Sequence, residues 1–423
     1  MKLFRISSLA IGLLLFMQQI SLAAPSNPWE CSNHLKNTNY LLALDCLKEI
    51  ESEHVGTETE HSFNQAMAIV LSTLGQYQDA NEYFDRKITM PDQPKVDIDA
   101  EAFKAVDAIS LITKLAKDRQ VIMINEAHHV SQNRVLTIQM LQPLFDQGFR
   151  YLAAETFYGT EMGPANDRGY PTQKTGFFLG DPLFGHLVRE AKRIGFTLVA
   201  YEQEEVCSKT KEECRDERER MQAHNLINRV LKKDPKAKIL VHAGYGHIDE
   251  VGNSSTFPWI PMAKYFRDWS DIDPLTIDQV SFRERGKKAV EIEGYRKALK
   301  DFKVNKASIL VNKSSGTPYV IPTLEGHYDI QVFSPVTNLN DSRADWLATV
   351  PSKTKVQMEN KCRDQNWCFV QIVRTQELQE RFVPVDQFVS TAATANAYLP
   401  KGSYKVRYIN RRSELEAEAD LEI

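Results

Sequence analysis

Val121-Ile122-Met123-Ile124-Asn125-Glu126-Ala127-His128-His129 is the stretch on which the fold turns. Four consecutive apolar residues without polar alternation describe a strand covered on both faces, as in a parallel sheet. The polar residues that follow fall at the carboxyl end of that strand, where ligands gather in α/β proteins. The pattern recurs. Ile239-Leu240-Val241 leads into His242 and then Gly244-Tyr245-Gly246-His247, a Gly-x-x-His that Asn125-Glu126-Ala127-His128 nearly matches. Between them, Tyr151 to Ala154 ends on Glu155, and Phe196 to Tyr201 ends on Glu202.

Outward from these runs, helical periodicity alternates with strand-like segments. Helices are expected over Asp99 to Leu115, Gln132 to Phe145, Asp181 to Arg193 and Asp216 to Leu231, each bounded by Gly, Pro or polar residues. Apolar strands separated by amphipathic helices predict an α/β fold, a mostly parallel sheet flanked by helices. Leu275 to Val280, Ser308 to Val311 and Ile330 to Phe333 could complete the sheet, and Ala263 to Trp269 and Ala289 to Phe302 read as further helices.

Four regions are expected: a signal peptide at 1–23, a helical segment at 24–98, the α/β domain at 99–345, and a β-rich accessory domain at 346–423. Lys2 and Arg5, the apolar Leu9 to Phe16, and Ser21-Leu22-Ala23 have the order of a cleavable export signal. That apolar run is short for a bilayer, and no later segment approaches the length of a span. The expectation is therefore a secreted or periplasmic protein with no membrane span after cleavage. In the helical segment, Ala66, Ala68, Leu71, Leu74-Gly75-Gln76-Tyr77, Ala80 and Phe84 resemble one tetratricopeptide unit. A single unit cannot bury its own faces, so it should pack on the helix at Tyr40 to Ile50 or on the main domain, with a protein partner as the other use. Past Pro351, Val356-Gln-Met, Phe369-Val-Gln-Ile-Val, Arg381-Phe-Val and Tyr404-Lys-Val-Arg-Tyr alternate as short strands.

The net charge of −4 over 423 residues, without a long basic stretch, argues against a nucleic-acid partner. Six cysteines fall in close pairs. In an oxidising compartment, proximity favours Cys31–Cys46, Cys207–Cys214 and Cys362–Cys368, although six cysteines allow 15 connectivities. No Cys-x-x-Cys points to zinc.

Chemistry concentrates at the strand ends. Six of the ten histidines lie between 128 and 247. Glu126, His128, Glu155 and His247 are the candidate catalytic residues; His129, Glu202 and His242 are secondary, because strand alternation could bury the two histidines and Glu202 opens a charged stretch. Arg218 and Arg220 read as a charged helix face, either of which could pair with the pocket carboxylates. His186 and His224 read as packing residues. Glu and His together can divide acid and base roles, and they also form a ligand set for divalent ions.

Ile124-Asn-Glu-Ala-His-His, Gly148-Phe-Arg-Tyr-Leu-Ala-Ala-Glu155 and Ile239-Leu-Val-His-Ala-Gly-Tyr-Gly-His-Ile resemble the superfamily that contains erythromycin esterases, Tiki/TraB proteins and ChaN-like haem-binding proteins. The resemblance covers about 115–340. Asn125 stands where that superfamily usually has Gly, leaving Glu126 and His128 in register; Arg218-Glu-Arg-Met221 and Asn225 are loosely similar to a helix of the esterase branch. The resemblance implies an α/β fold with Glu126, His128, Glu155 and His247 around one pocket, and a hydrolase acting on an ester or a peptide bond of a small-molecule or peptide substrate. In a metal-dependent version, His128, Glu155 and His247 hold a divalent ion (Mn, Co or Zn) and Glu126 is the base. In a metal-free version His128 is the base, Glu155 orients it, and His247 or Glu126 serves the departing group. The alternative of another class is a haem- or metal-binding protein without turnover, with Tyr201, Tyr245 or histidines as axial ligands. The loop Phe157 to Gly180 and the segment Gly252 to Pro261 are the expected pocket walls.

Overall fold

The computed structural model describes residues 27–89, 94–252, 259–379 and 381–423. The signal peptide expected at 1–23, Pro91 and most of the segment after Gly252 lie outside the described residues.

Six parallel strands form the centre: β1 (Val121–Glu126), β2 (Phe149–Ala154), β3 (Thr197–Ala200), β4 (Lys238–Gly244), β5 (Leu275–Asp278) and β6 (Ile330–Gln331), in the order β3-β2-β4-β1-β5-β6. All six residues of β1 are buried, as its unbroken apolar run requires of a central strand. Side-chain alternation assigns the two faces. Ile122, Ile124, Leu152, Ala154 and Leu240 pack beneath α4 (Gln132–Phe145) and α5 (Pro182–Ile194). Met123, Ala153, Val241 and Ala243 pack beneath α6 (Lys211–Leu226) and α7 (Met262–Ser270). The connection from β1 passes over β4 to reach β2, and that from β4 passes over β1 to reach β5. The crossing places a topological switch point between β1 and β4, and in open α/β sheets ligands gather at the carboxyl ends of the strands at such a point.

Helix ends follow local chemistry. Asp181 caps α5 by accepting from the N–H groups of Leu183 and Phe184 at 2.7 and 3.1 Å, Pro182 opens the helix, and Gly195 closes it with φ 118°. Thr210 and Glu213 form a reciprocal capping box on α6.

The region expected as a helix from Asp99 is instead a strand, Phe103–Asp107, before the helix Ala108–Leu115. It pairs antiparallel with Ser308–Asn312, so the latter joins this ribbon and not the central sheet. Its Phe-Lys-Ala-Val-Asp sequence fits either element, and the partner strand decides.

The N-terminal helices α1 (Tyr40–His54), α2 (Glu60–Thr73) and α3 (Tyr77–Phe84) bury one cluster that also includes Phe369 and Ile409 of the C-terminal region. That region holds β7 (Thr354–Glu359), β8 (Cys368–Arg374), β9 (Asp386–Ser390), β10 (Thr394–Leu399), β11 (Ser403–Ile409) and β12 (Leu415–Glu422). They make a four-stranded antiparallel sheet, β9-β8-β11-β12, and a ribbon, β7-β10. Cys31–Cys46, Cys207–Cys214 and Cys362–Cys368 are disulfide-bonded. Among the described residues no helix is long and apolar enough to cross a membrane.

Candidate active site

Strand register builds the site. Glu126 aligns with Gly244 across β1 and β4, and Ala154 aligns with His242 across β2 and β4. The three strand ends are therefore level, and the loops leaving them bring Glu126, His128, Glu155 and His247 to one rim. Glu155 accepts from the Gly244 N–H at 2.5 Å.

The imidazoles share one arrangement. His128 has Nδ1 2.9 Å from Glu126 Oε1 and Nε2 3.8 Å from Glu155 Oε1. His247 has Nδ1 2.8 Å from Glu219 and Nε2 3.7 Å from the same Glu155 oxygen. A carboxylate on Nδ1 fixes the proton there and leaves Nε2 as the reactive nitrogen. The result is a line of alternating groups: Glu126, His128, Glu155, His247, Glu219.

Glu126 is almost wholly buried and fully engaged. Arg134 donates to it from Nε at 2.8 Å and Nη2 at 3.1 Å, and His242 Nε2 lies 2.8 Å from Oε2. Burial alone would raise its pKa, but Arg134, His242 and His128 outweigh burial and hold it well below the ordinary carboxylate value. It is thus an orienting anion behind His128. In the metal-free expectation Glu155 orients His128 and His247 or Glu126 serves the departing group; in the structure Glu126 is the carboxylate on His128 Nδ1, and Glu155 lies toward Nε2. A fully bonded, buried carboxylate is also not placed to be the general base.

Glu155 is likewise ionised. Burial opposes this, yet His247, His128 and Arg218 bring its pKa down to about 2. Arg218 Nη2 donates to Glu155 Oε1 at 2.6 Å, Nη1 lies 3.1 Å from His247 Nε2, and the remaining bonds go to Glu202. Glu202 therefore belongs to the rim through Arg218, while Arg220 is an exposed partner of Asp216.

His242 sits one layer below, between Glu126 and Thr137 Oγ1 at 3.0 Å. His129 turns away: it stacks on Phe84 at 3.8 Å, and burial, with Arg283 and Arg285, keeps its pKa well below the ordinary value. His186 is buried against the Pro351 carbonyl; His224 is exposed beside Asn228. Asn125 bonds Asp278 and both the N–H and the side chain of Gln279, locking β1 to the end of β5.

The loop Phe157 to Gly180 supplies a wall, with Phe178 stacked on His128 at 4.2 Å and 19°. Tyr245 meets the same ring edge-on at 5.3 Å. Gly244 is required by contact: a Cβ there would lie 2.5 Å from His128 Cε1 and Nε2 and 2.8 Å from Glu155 Oε2.

Glu219 and Arg134 received no role from sequence. Glu219 lies beside Arg218 in a charged run that reads as a solvated face, yet it is buried and also accepts from the Met262 N–H at 2.7 Å. Arg134, six residues past His128 and at the start of α4, has the only available signal: a cation on a helix that must cover an acidic strand end.

For a metal ion, the donor set His128, Glu155 and His247 has the right chemistry, and carboxylates on both Nδ1 atoms are the usual second layer of metal-bound histidines. However, the Arg218 guanidinium already holds the cationic position between Glu155 and His247. Among the described residues no group of three or more His, Cys, Asp or Glu side chains is arranged to hold a metal. The set does not fit a divalent ion alongside that guanidinium. Tyr201 does not fit a haem ligand either, since it is fully buried with its hydroxyl donating to the His242 carbonyl at 3.1 Å. Tyr245 directs its hydroxyl toward His129 Nδ1 at 3.3 Å.

These features define an α/β protein with a parallel sheet covered on both faces and a rim of two His–Glu pairs around a third carboxylate. No family model and no curated protein matches the chain. Among solved structures it is similar to the type III effector HopBA1, at 11% identity over 58% of this chain and 99% of that one, with a TM-score of 0.33. It is also similar to RRSP, a MARTX toxin effector domain from Vibrio vulnificus CMCP6, at 16% identity over 59% and 55%, TM-score 0.33. A third is the C-terminal region of Pasteurella multocida toxin, described by its thiol-protease-like catalytic triad, at 12% identity over 57% and 30%, TM-score 0.30. The chain spans just over half of the RRSP chain and under a third of the Pasteurella one. Likeness at this level carries no inference about activity.

Proposed function

We propose that the protein is an exported hydrolase of the superfamily containing erythromycin esterases and Tiki/TraB proteins, acting on an ester or a peptide bond without a metal. The observation that supports it is the pairing of each imidazole Nδ1 with a buried carboxylate, at 2.9 Å for His128 and 2.8 Å for His247, while both Nε2 atoms turn to one rim.

His128 Nε2 accepts a proton from water as the water oxygen attacks the carbonyl carbon. Glu126 steadies the imidazolium that forms. The carbonyl π pair moves to oxygen, and the resulting oxyanion is met by the Arg218 guanidinium. When the tetrahedral intermediate collapses, the carbon–oxygen or carbon–nitrogen bond breaks and the proton on His128 passes to the leaving alkoxide or amine. Glu155 holds Arg218 and His128 in relation to each other and keeps the water next to the base. His247, anchored by Glu219, packs Arg218 from its far side.

A panel of model esters and peptides assayed with wild type and His128→Ala tests this reading. The variant is expected to fold and to lose about 10³-fold in kcat/KM, the usual scale for a general base. Hydrolysis at the wild-type rate would remove His128 from the chemistry. Elemental analysis of the purified mature chain tests the metal-free form: a stoichiometric Mn, Co or Zn ion bound with Arg218 displaced would overturn it.

A further inference from the structure

The segment after β5 carries two arginines against α3, and they are treated differently. Arg285 is answered by Asp85, with Nε at 3.0 and 3.1 Å from its two oxygens and Nη2 at 2.5 Å; Asp85 also accepts from the Gly286 N–H at 2.7 Å. Arg283 is 2% exposed and makes no ion pair among the described residues; the Asp85 carboxylate that acts on it is bonded to Arg285. Its Nη1 donates to the Glu284 carbonyl at 2.9 Å and to Asn81 Oδ1 at 3.4 Å, while Nε and Nη2 are buried without a hydrogen-bond partner among the described residues. Burial, with Arg285 beside it, pushes the Arg283 pKa down to about 10, so the group is still a cation at neutral pH.

A second unpartnered nitrogen belongs to a side chain that touches the same helix. Phe84, three residues on from Asn81 along α3, stacks on His129 at 3.8 Å and 13°. The Tyr245 hydroxyl lies 3.3 Å from His129 Nδ1, and His129 Nε2 is buried without a hydrogen-bond partner among the described residues. Three nitrogens, two of them on a charged guanidinium, thus lie unpartnered among the described residues, on side chains that touch α3. A buried charge with unpartnered donors is strongly destabilising unless a counter-ion answers it.

We propose that the Arg283 Nε–Nη2 edge, with His129 in its Nε2–H tautomer, binds a small monovalent anion of the carboxylate or halide class at the seam between the N-terminal helices and the α/β domain. That guanidinium edge is the one that accepts a carboxylate in two parallel bonds. The site is distinct from Arg218, which lies at the catalytic rim among Glu155, Glu202 and His247. It does not depend on the hydrolase reading.

Thermal unfolding of the full chain is measured at constant ionic strength in sodium formate, chloride or bromide, with gluconate as an anion too large to enter, and crystals are soaked in bromide. Formate, chloride and bromide are expected to raise Tm by about 3 °C over gluconate in a saturable way. Arg283→Met is expected to lose the difference and exposed Arg220→Met to keep it. An anomalous bromide peak is expected beside Arg283 Nε and Nη2. Equal melting in all four salts, or bromide found only elsewhere, would overturn the proposal. If Arg283→Met does not fold, the wild-type salt comparison and the bromide position still decide it.

Discussion

His128 and His247 differ in what their reactive nitrogens face besides Glu155. Among the described residues His128 Nε2 has no arginine bonded to it, whereas Arg218 Nη1 stands 3.1 Å from His247 Nε2. Since Nη1 only donates, Nε2 accepts in this arrangement, and His247 is the neutral tautomer with its proton toward Glu219. Burial lowers the His247 pKa, but Glu219 and Glu155 outweigh it and the net shift is upward. Protonation therefore requires the guanidinium to turn aside onto Glu155 and Glu202. The sign for stability follows. A raised folded-state pKa contributes stability that is complete below the unfolded value near 6.5 and is lost as pH rises through the folded value. Unfolding free energies of wild type and His247→Asn, measured by urea across pH 5 to 9, should converge as pH increases; parallel curves would contradict this. Gly244→Ala should leave a folded protein with kcat/KM reduced at least tenfold, because the added methyl displaces His128 and Glu155 at a cost of roughly 1–3 kcal/mol. Arg134→Met strands Glu126 and Asp181 in the interior and should cost about 3–5 kcal/mol in a urea titration. A loss under 1 kcal/mol would show that water replaces the guanidinium.

Among elements, α6 carries most of the site's support, because Arg218, Glu219, Gln222 and Asn225 all reach the rim or the end of β3 from it. Its first turn is held by the Thr210–Glu213 capping box and the Cys207–Cys214 disulfide. Thr210→Ala should destabilise the protein by about 1 kcal/mol and speed amide hydrogen exchange over 211–217, with β1 and β4 unchanged. Equal exchange in both proteins would show that the disulfide alone holds the turn. This helix was legible in part. Its periodicity placed a helix over Asp216 to Leu231, but the structure begins it at Lys211 and turns it into a π-helix at Ile227–Leu231. β12 was not legible. Leu415-Glu-Ala-Glu-Ala-Asp-Leu-Glu is rich in helix formers, and its pairing along the edge of β11 overrides that propensity.

In the whole molecule, the N-terminal helices are not a separable module. Ser72 bonds Ser131 at 2.7 Å just past the His128 loop, Gln387 donates to the Thr73 carbonyl at 2.6 Å, and Phe369 and Ile409 share the helices' core. A chain beginning at 99 should expose that face and bind an apolar dye, whereas the full chain should not. Acid stability belongs to this scale too. Because the Glu155 pKa falls from 4.5 to about 2, its contribution is complete above pH 4.5 and is lost as pH drops toward 2, on the order of 3 kcal/mol. Glu155→Gln should flatten the acid limb of the stability curve. The sequence by itself determined the parallel α/β core, the pairs of cysteines and the strand ends that carry Glu126, His128, Glu155 and His247. It could do so because unbroken apolar runs, helical spacing and nearness along the chain are local signals. Tertiary structure alone decided that Glu126 stands behind His128, that Glu219 anchors His247, that Arg218 occupies the cationic position, and that Ser308–Asn312 leaves the central sheet for Phe103–Asp107. Each of these depends on which distant segment lies alongside, and strand register, which no local pattern records, sets that choice.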